Sequence, residues 1–389
     1  MPPSSSAAPD ALPLPFADLL VLELASVLAG PQVGQFFAEL GARVLKVESP
    51  AGDVTRTWKT SAEAAETDVS AYFSCANWGK QSVVIDLTTP AGQQQVRELA
   101  ATADIVLTSY KPGDAEKLGV DYDTLKHRNP ELLYAHLTGY GPDTARAGYD
   151  AVLQAEAGFM HLNAAPGQEP QKMPVAMIDL LAAHQLKEGL LTALYHRART
   201  GRGSLIRVSL LDSALASLAN QAATWLVTGH DPRPMGSGHP SIVPYGTVYA
   251  AGNGRGLVLA VGADRQFRQL CAALERPEWA ADPRFQTNEA RVTHRATLET
   301  LLRQRIGEVD GDALLWELEK LGVPAGAVRT VGEALALGSG RAMQLPAAEG
   351  GFPGLRTVAF HSSAWPQVPA LSAPPRLGEQ TDELIAGKV

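Results

Sequence analysis

Apolar residues first run together at LLVLEL (19–24), a continuous stretch of the kind buried on both faces of a parallel sheet. Gly30-Pro31 follows, with proline suited to a first helical position, and QVGQFFAEL then sets its apolar side chains at helical spacing. Gly41 supplies the stop and ARVLKVE (42–48) is a second strand. Strand, short helix and strand within about thirty residues make a βαβ unit. The pattern then repeats: SVVIDL (82–87) reads as a strand, 90–101 as a helix, DIVLTSY (104–110) as a strand, 123–128 as a short helix and ELLYAHLTGY (131–140) as another strand. Such alternation predicts an α/β fold with a mainly parallel sheet covered on both faces. Ligands of such sheets sit at the carboxyl ends of the strands.

Beyond residue 150 the period lengthens. Residues 179–199 and 211–228 read as long Ala-rich helices, and 229–240 is a Gly/Pro loop that marks a domain border. GTVYAA and GLVLAVG are two short strands around Gly252-Asn253-Gly254-Arg255-Gly256, and helical segments follow from 265 to 337. The organisation is therefore a disordered leader at 1–15 (MPPSSSAAPDALPLP), a large domain beginning at 16–228, a small α+β domain at 229–337, and a return of 338–389 to the large domain.

Composition narrows the classes of function. The chain has 389 residues, 45% of them apolar, enough to build a substantial core and to exclude wholesale disorder. Lys+Arg 33 against Asp+Glu 41 gives 33 − 41 = −8, which argues against nucleic-acid or anionic-membrane partners. An anionic ligand must then be held by a local cluster of cations or helix N-termini. Cys75 and Cys271 allow at most one disulfide and no cysteine-based metal framework, so a reducing cytoplasm is the expected compartment and no metal is expected. The longest apolar run contains Glu23, and the first residues lack the basic start of a signal peptide.

Common catalytic motifs are missing: there is no G-x-S-x-G elbow, H-E-x-x-H pair or Walker loop. The glycines at 252, 254 and 256 lie between two strands and read as a hairpin turn, because a dinucleotide fingerprint must open a helix. The nine histidines show no ligand spacing. Asp179 opens the helix DLLAAHQLKEGLLTALYHR with Ala182, Ala183, Leu186 and Leu190 at +3, +4, +7 and +11, which sets its carboxylate on or beside the apolar face. It reads as an N-cap, as a carboxylate nucleophile in a dry pocket, or as both. Lys46, Lys80, Lys111 and Lys117 fall at or near strand ends, where each alone reads as a surface charge and the set together as a phosphate-binding cluster.

The string VLELASVLAGPQVGQFFAELGARVLKVESPAGDVTRTW resembles the opening of the class III (CaiB/BaiF-type) coenzyme A transferases. So do NWGKQSVVIDL, SYKPGDAEKLGVDYDTLKHRNPELLYAHLTGYG, AGYDAVLQAEAGFM, TGRGSLIRVSLLD, DPRFQTNEARVTHR and LGVPAGAVR, in order from about residue 18 to at least residue 335. The resemblance implies a cytoplasmic homodimer of interlocked chains, each with a Rossmann-like large domain built from both chain ends and a small domain between. It matches the family's catalytic aspartate to Asp179 and its adenosine contacts to Val27, Leu28, Ala29, Lys46 and Ser49. A further cofactor-side patch matches Tyr110 and Lys117; Lys111 and Tyr140 join the same candidate set. The Gly-rich flap corresponds to Gly236, Ser237, Gly238 and His239, with Gly236 and Gly238 as candidate catalytic donors.

The activity implied by the resemblance is transfer of CoA from an acyl-CoA thioester to a free acid, through an aspartyl-CoA thioester, with small dicarboxylates such as succinate. Coenzyme A is then a substrate, and no tightly bound cofactor is expected. A formyl-transferring member has glutamine at the Leu28 position, a longer glycine run and an arginine near Ser49, and the first difference weighs against formyl-CoA and oxalate. The same superfamily includes α-methylacyl-CoA racemases, which use histidine in a Gly-His-Asp string; here the string is Gly148-Tyr149-Asp150. Tyrosine, with a reference pKa of about 10, is a poor proton shuttle at neutral pH, so transferase is favoured. A non-catalytic acyl-CoA binding protein is the remaining alternative.

Overall fold

β1 (Leu20–Leu24) buries Val21, Leu22 and Leu24, the helix Ala29–Glu39 follows, and β2 (Arg43–Glu48) lies parallel to β1 with Leu22 opposite Leu45. β3 (Lys80–Val84), β4 (Ile105–Thr108), β5 (Leu133–Thr138) and β6 (Ser204–Ser209) complete a six-stranded sheet ordered β3-β2-β1-β4-β5-β6, with every neighbouring pair parallel. The order reverses direction between β1 and β4. Loops leaving those two strands diverge to opposite faces, which opens a crevice at their carboxyl ends. These features come from a computed structural model, which describes residues 13–346, 351–365 and 370–387. The expected leader therefore falls mostly outside the described residues, at 1–12, while Phe16 already packs against Phe36 and Phe37.

Two expectations need correction. β6 was not foreseen, because as an edge strand it is mostly half-buried and its run SLIRVS lacks the continuous apolar character of the inner strands. The single helix expected at 211–228 is two, Leu210–Ala216 and Ala219–Thr228. Ser213 and Ser217 each donate a hydroxyl to the carbonyl four residues back, and Ala219 turns to φ +46°, ending the first helix.

The chain divides into two units. The first takes Met1–Ala157, Pro174–Ala222 and Ala342–Val389; the second takes Gly158–Met173 and Ala223–Arg341. The stretch Gly158–Met173 thus leaves the large domain, where the expected borders had put it. In the first unit the C-terminal segment covers the outer edge of the sheet: Ser82 N–H donates to Gln380 Oε1 (2.7 Å) and Val84 N–H to Thr381 Oγ1 (2.9 Å), capping edge strand β3. A small antiparallel pair, Gln344–Leu345 with Gly354–Leu355, belongs to the same unit.

In the second unit β7 (Tyr245–Ala250), β8 (Gly256–Ala260) and β9 (Ala325–Ala327) form an antiparallel sheet, with the glycines at 252 and 254 in the β7–β8 hairpin turn. Tyr249, Leu257, Leu259, Phe267, Leu270 and Leu302 make its core. The buried Arg291 guanidinium is satisfied by Val243 O, Phe285 O and the Asp264 carboxylate. Among the described residues no helix is long and apolar enough to cross a membrane.

Candidate active site

Loops leaving β1, β4, β5 and β6 enclose a cavity of about 220 Å³ at the crevice. Five residues marked in the sequence, Val27, Leu28, Ala29, Tyr110 and Lys111, meet Asp179 there. Arg146, Tyr149 and Asp150 line the same cavity.

Asp179 stands in the first turn of the helix Met177–Thr200, which packs against the helix Ala29–Glu39. It is buried together with Ala182, Ala183, Leu186 and Leu190, the apolar side chains its spacing shares a face with. It is not a cap. Ala176 occupies the N-cap position with no side-chain bond to the helix, and a first-turn N–H, that of Ile178, donates instead to the Asp150 carboxylate at 2.8 Å. Gln154 Nε2 donates to the other Asp150 oxygen at 2.7 Å. Burial, and after it the negative charge of Asp150, push the Asp179 carboxyl up to about 7. A carboxylate so poised is poorly solvated and reactive.

The turn after β1 is strained. Val27 takes φ +72°, a conformation rare for a β-branched residue, and so must be over-determined by its surroundings. Its N–H donates to both Asp53 carboxylate oxygens, at 3.2 and 3.4 Å. Lys46 Nζ in turn lies 3.0 Å from Asp53 and 3.0 Å from Glu23, and donates to Ala25 O at 3.0 Å. Burial alone would lower the Lys46 pKa, but Glu23, Asp53 and Glu48 outweigh it and hold the ammonium charged. Lys80 is buried on the other Glu23 oxygen at 2.8 Å.

Several marked residues are therefore elsewhere. Lys46 and Lys80 are internal ion pairs beneath the turn, enclosed away from any phosphate, and Lys46 shapes the cavity through Ala25 and Val27. Ser49 is exposed in the turn after β2, off the cavity wall. Lys117 points to solvent and pairs with Asp114 at 2.8 Å. Tyr140 does not line the cavity; its hydroxyl donates to Glu156 at 2.8 Å.

Comparison with known proteins decides the family. The family model described as CoA-transferase family III matches residues 16–381. This chain belongs to CoA-transferase family III. A succinate–glutarate CoA-transferase of Agrobacterium fabrum is 38% identical over 96% of this chain and 95% of its own length. An acetyl-CoA:oxalate CoA-transferase of Acetobacter aceti is 34% identical over 82% of each chain. A crystal structure of a CaiB/BaiF family protein from Brucella suis, 41% identical, superposes with a TM-score of 0.86 over 97% of this chain and all of that one. The protein is an enzyme, a CoA-transferase, and its substrates include CoA thioesters.

In this transferase the two glycines expected in a flap, Gly236 and Gly238, belong to the second unit, where they line a cavity of about 350 Å³ with Thr247, Arg295 and Arg303. Their N–H groups are already engaged, Gly236 with Ala164 O at 2.8 Å and Gly238 with Met235 O at 3.1 Å. Neither glycine donor is free for an oxyanion in this arrangement. Asp150 and Arg146 were missed by the sequence reading. Asp150 had a signal, since it closes the Gly148-Tyr149-Asp150 string; Arg146 had none, because its place depends on how a loop folds back.

Proposed function

We propose that this CoA-transferase moves coenzyme A between small dicarboxylates by covalent catalysis at Asp179. The observation that carries the reading is a buried carboxylate, displaced to high pKa, on the wall of a cavity at the carboxyl ends of a parallel sheet. The substrate class rests on the names of relatives, a succinate–glutarate and an acetyl-CoA:oxalate CoA-transferase among them. Val27, Leu28, Ala29, Tyr110 and Lys111 would contact the nucleotide end of CoA, Lys111 as a cation on the wall and Ala29 at the start of a helix whose N–H groups favour phosphate.

The carboxylate of Asp179 attacks the thioester carbonyl, the C–S bond breaks, and a mixed anhydride and CoA thiolate form. The thiolate attacks the aspartyl carbonyl, releasing the donor acid as its carboxylate and leaving an aspartyl-CoA thioester. The acceptor carboxylate then attacks that thioester to give a second anhydride and the thiolate. Attack of the thiolate on the acceptor's acyl carbon yields the new acyl-CoA and returns Asp179. Water must be excluded, since it would hydrolyse either anhydride. The interlocked homodimer and the cytoplasmic setting belong to the same proposal; light scattering that found a folded 41.2 kDa species would remove the dimer.

Tyr149 on the cavity wall stands where a racemase would need histidine, which favours transfer over isomerisation. Acyl-CoA donors and free acids, assayed in pairs by mass spectrometry of the CoA products, test the assignment. Label exchange into the α-carbon in D2O without transfer would instead support an isomerase. A pH profile gives a further expectation. Only ionised Asp179 attacks, so kcat/KM for the acyl-CoA should be flat above about pH 7 and fall about tenfold per unit below it. A profile flat down to pH 5 would contradict the raised pKa.

A further inference from the structure

We propose that Arg146 reads the second carboxylate of the acid substrate. The inference rests on the dicarboxylate reading above and assigns a residue to it. A dicarboxylate brings two negative charges into a cavity whose wall already holds Asp150 and Asp179. Its reacting carboxyl must lie against Asp179, so the remote carboxylate needs a cation at a fixed separation from that side chain. Two residues with cationic side chains are among those lining the cavity, Lys111 and Arg146. Lys111 lies in the loop after β4, on the side of the cavity that holds the first βα turn and is given to the nucleotide.

Arg146 is tied to the other side. Its segment is pinned at two points to the structure around Asp179. Gly148 rests on Gly139 so closely that a Cβ there would stand 2.4 Å from the Gly139 Cα. Two residues on, Asp150 accepts from Ile178 N–H, the residue next to Asp179, at 2.8 Å. The guanidinium is itself gripped: Nη1 and Nη2 both donate to Glu156, with Nη1 to Oε2 at 3.1 Å, and the group stacks over the Tyr140 ring at 4.5 Å. The Tyr140 hydroxyl completes the clamp by donating to the same Glu156 oxygen at 2.8 Å.

This clamp does little for stability, because the ion pair is substantially exposed and such pairs contribute little. Its effect is to orient a planar fork before the ligand arrives, lowering the ordering cost of binding. Two N–H groups go to Glu156, and an arginine has about five, so donors remain for a carboxylate. Tyr140, a candidate cofactor contact in the sequence, becomes the platform that positions Arg146.

The test compares succinate with succinamate, its monoamide, which keeps the size and the reacting carboxylate but loses the second charge, and with butyrate. Parent enzyme should prefer succinate over succinamate by about tenfold or more in kcat/KM. Arg146→Met should lower kcat/KM for succinate about tenfold to a hundredfold and change succinamate and butyrate by less than about threefold, so that the preference collapses. Arg146→Lys, which keeps the charge without the fork, should fall between. The melting temperature of both variants should stay within about 2 °C of the parent, as expected for an exposed pair. Loss shared equally by all three acids, or an undiminished succinate preference in Arg146→Met, overturns the assignment while leaving dicarboxylate transfer standing. Parent enzyme inactive on every dicarboxylate tried would overturn the assignment and the substrate reading together.

Discussion

Asp179→Asn is expected to lower CoA transfer by about a thousandfold or more while leaving the fold intact. The amide keeps the shape of the side chain but has no anionic oxygen to attack a thioester. Because Ala176 holds the cap position of the helix and Asp150 accepts the Ile178 N–H, the substitution forfeits no capping bond. The same variant should be more stable than the parent at pH 8. The Asp179 pKa is raised from 3.8 to about 7 in the fold, so the ionised form is disfavoured there. That cost is absent below about pH 3.8, grows as pH rises toward about 7 and is constant above it. Asparagine removes it, a gain on the order of 1–4 kcal/mol at pH 8 and none near pH 4. Lost activity with gained stability is a pattern that a structural carboxylate would not produce. A folded variant with more than about a tenth of parental turnover, less than ~1.4 kcal/mol of barrier, would exclude the nucleophile. In parent enzyme, hydroxylamine added during turnover should modify the peptide that contains Asp179.

Much of the large unit was legible because its inner strands are buried on both faces and so write themselves as nearly continuous apolar runs, as in Val21, Leu22 and Leu24 or Ile105, Val106 and Leu107. β6 was not, since an edge strand needs no such run. The burial of Asp179 was readable from helical spacing alone, which sets Ala182, Ala183, Leu186 and Leu190 beside it. The lysines misled. Lys46 sits between Leu45 and Val47 in β2, and Glu23 between Leu22 and Leu24 in β1. Two opposite charges inside apolar runs of strands that share one βαβ unit are directly opposite in register, so a buried pair was the physical reading available. Asp150 and Arg146 depend on tertiary closure of the segment 139–150 onto the helix of Asp179, which no local pattern encodes.

Lys46→Met is expected to cost about 3–5 kcal/mol, because it leaves a buried carboxylate without its cation. Glu23 keeps Lys80 at 2.8 Å, so the charge orphaned is that of Asp53, which Lys46 meets at 3.0 Å. For a chain of this size the melting temperature should drop on the order of 5 °C. The effect should reach the cavity as well. Asp53 holds the Val27 N–H and Lys46 holds Ala25 O, so loosening them releases a turn kept at φ +72° and should raise KM for acyl-CoA more than it lowers kcat. Adding Asp53→Asn separates charge from contact. The amide oxygen can still accept from Val27 and Thr55, while the uncompensated charge disappears, so the double variant should recover part of the lost stability. A single Lys46→Met variant that melts within about 2 °C of the parent would show that the ammonium is a spectator. If Asp53→Asn only deepens the loss, the carboxylate has a second cation to replace the first, and the scaffold of the Val27 turn must be sought there.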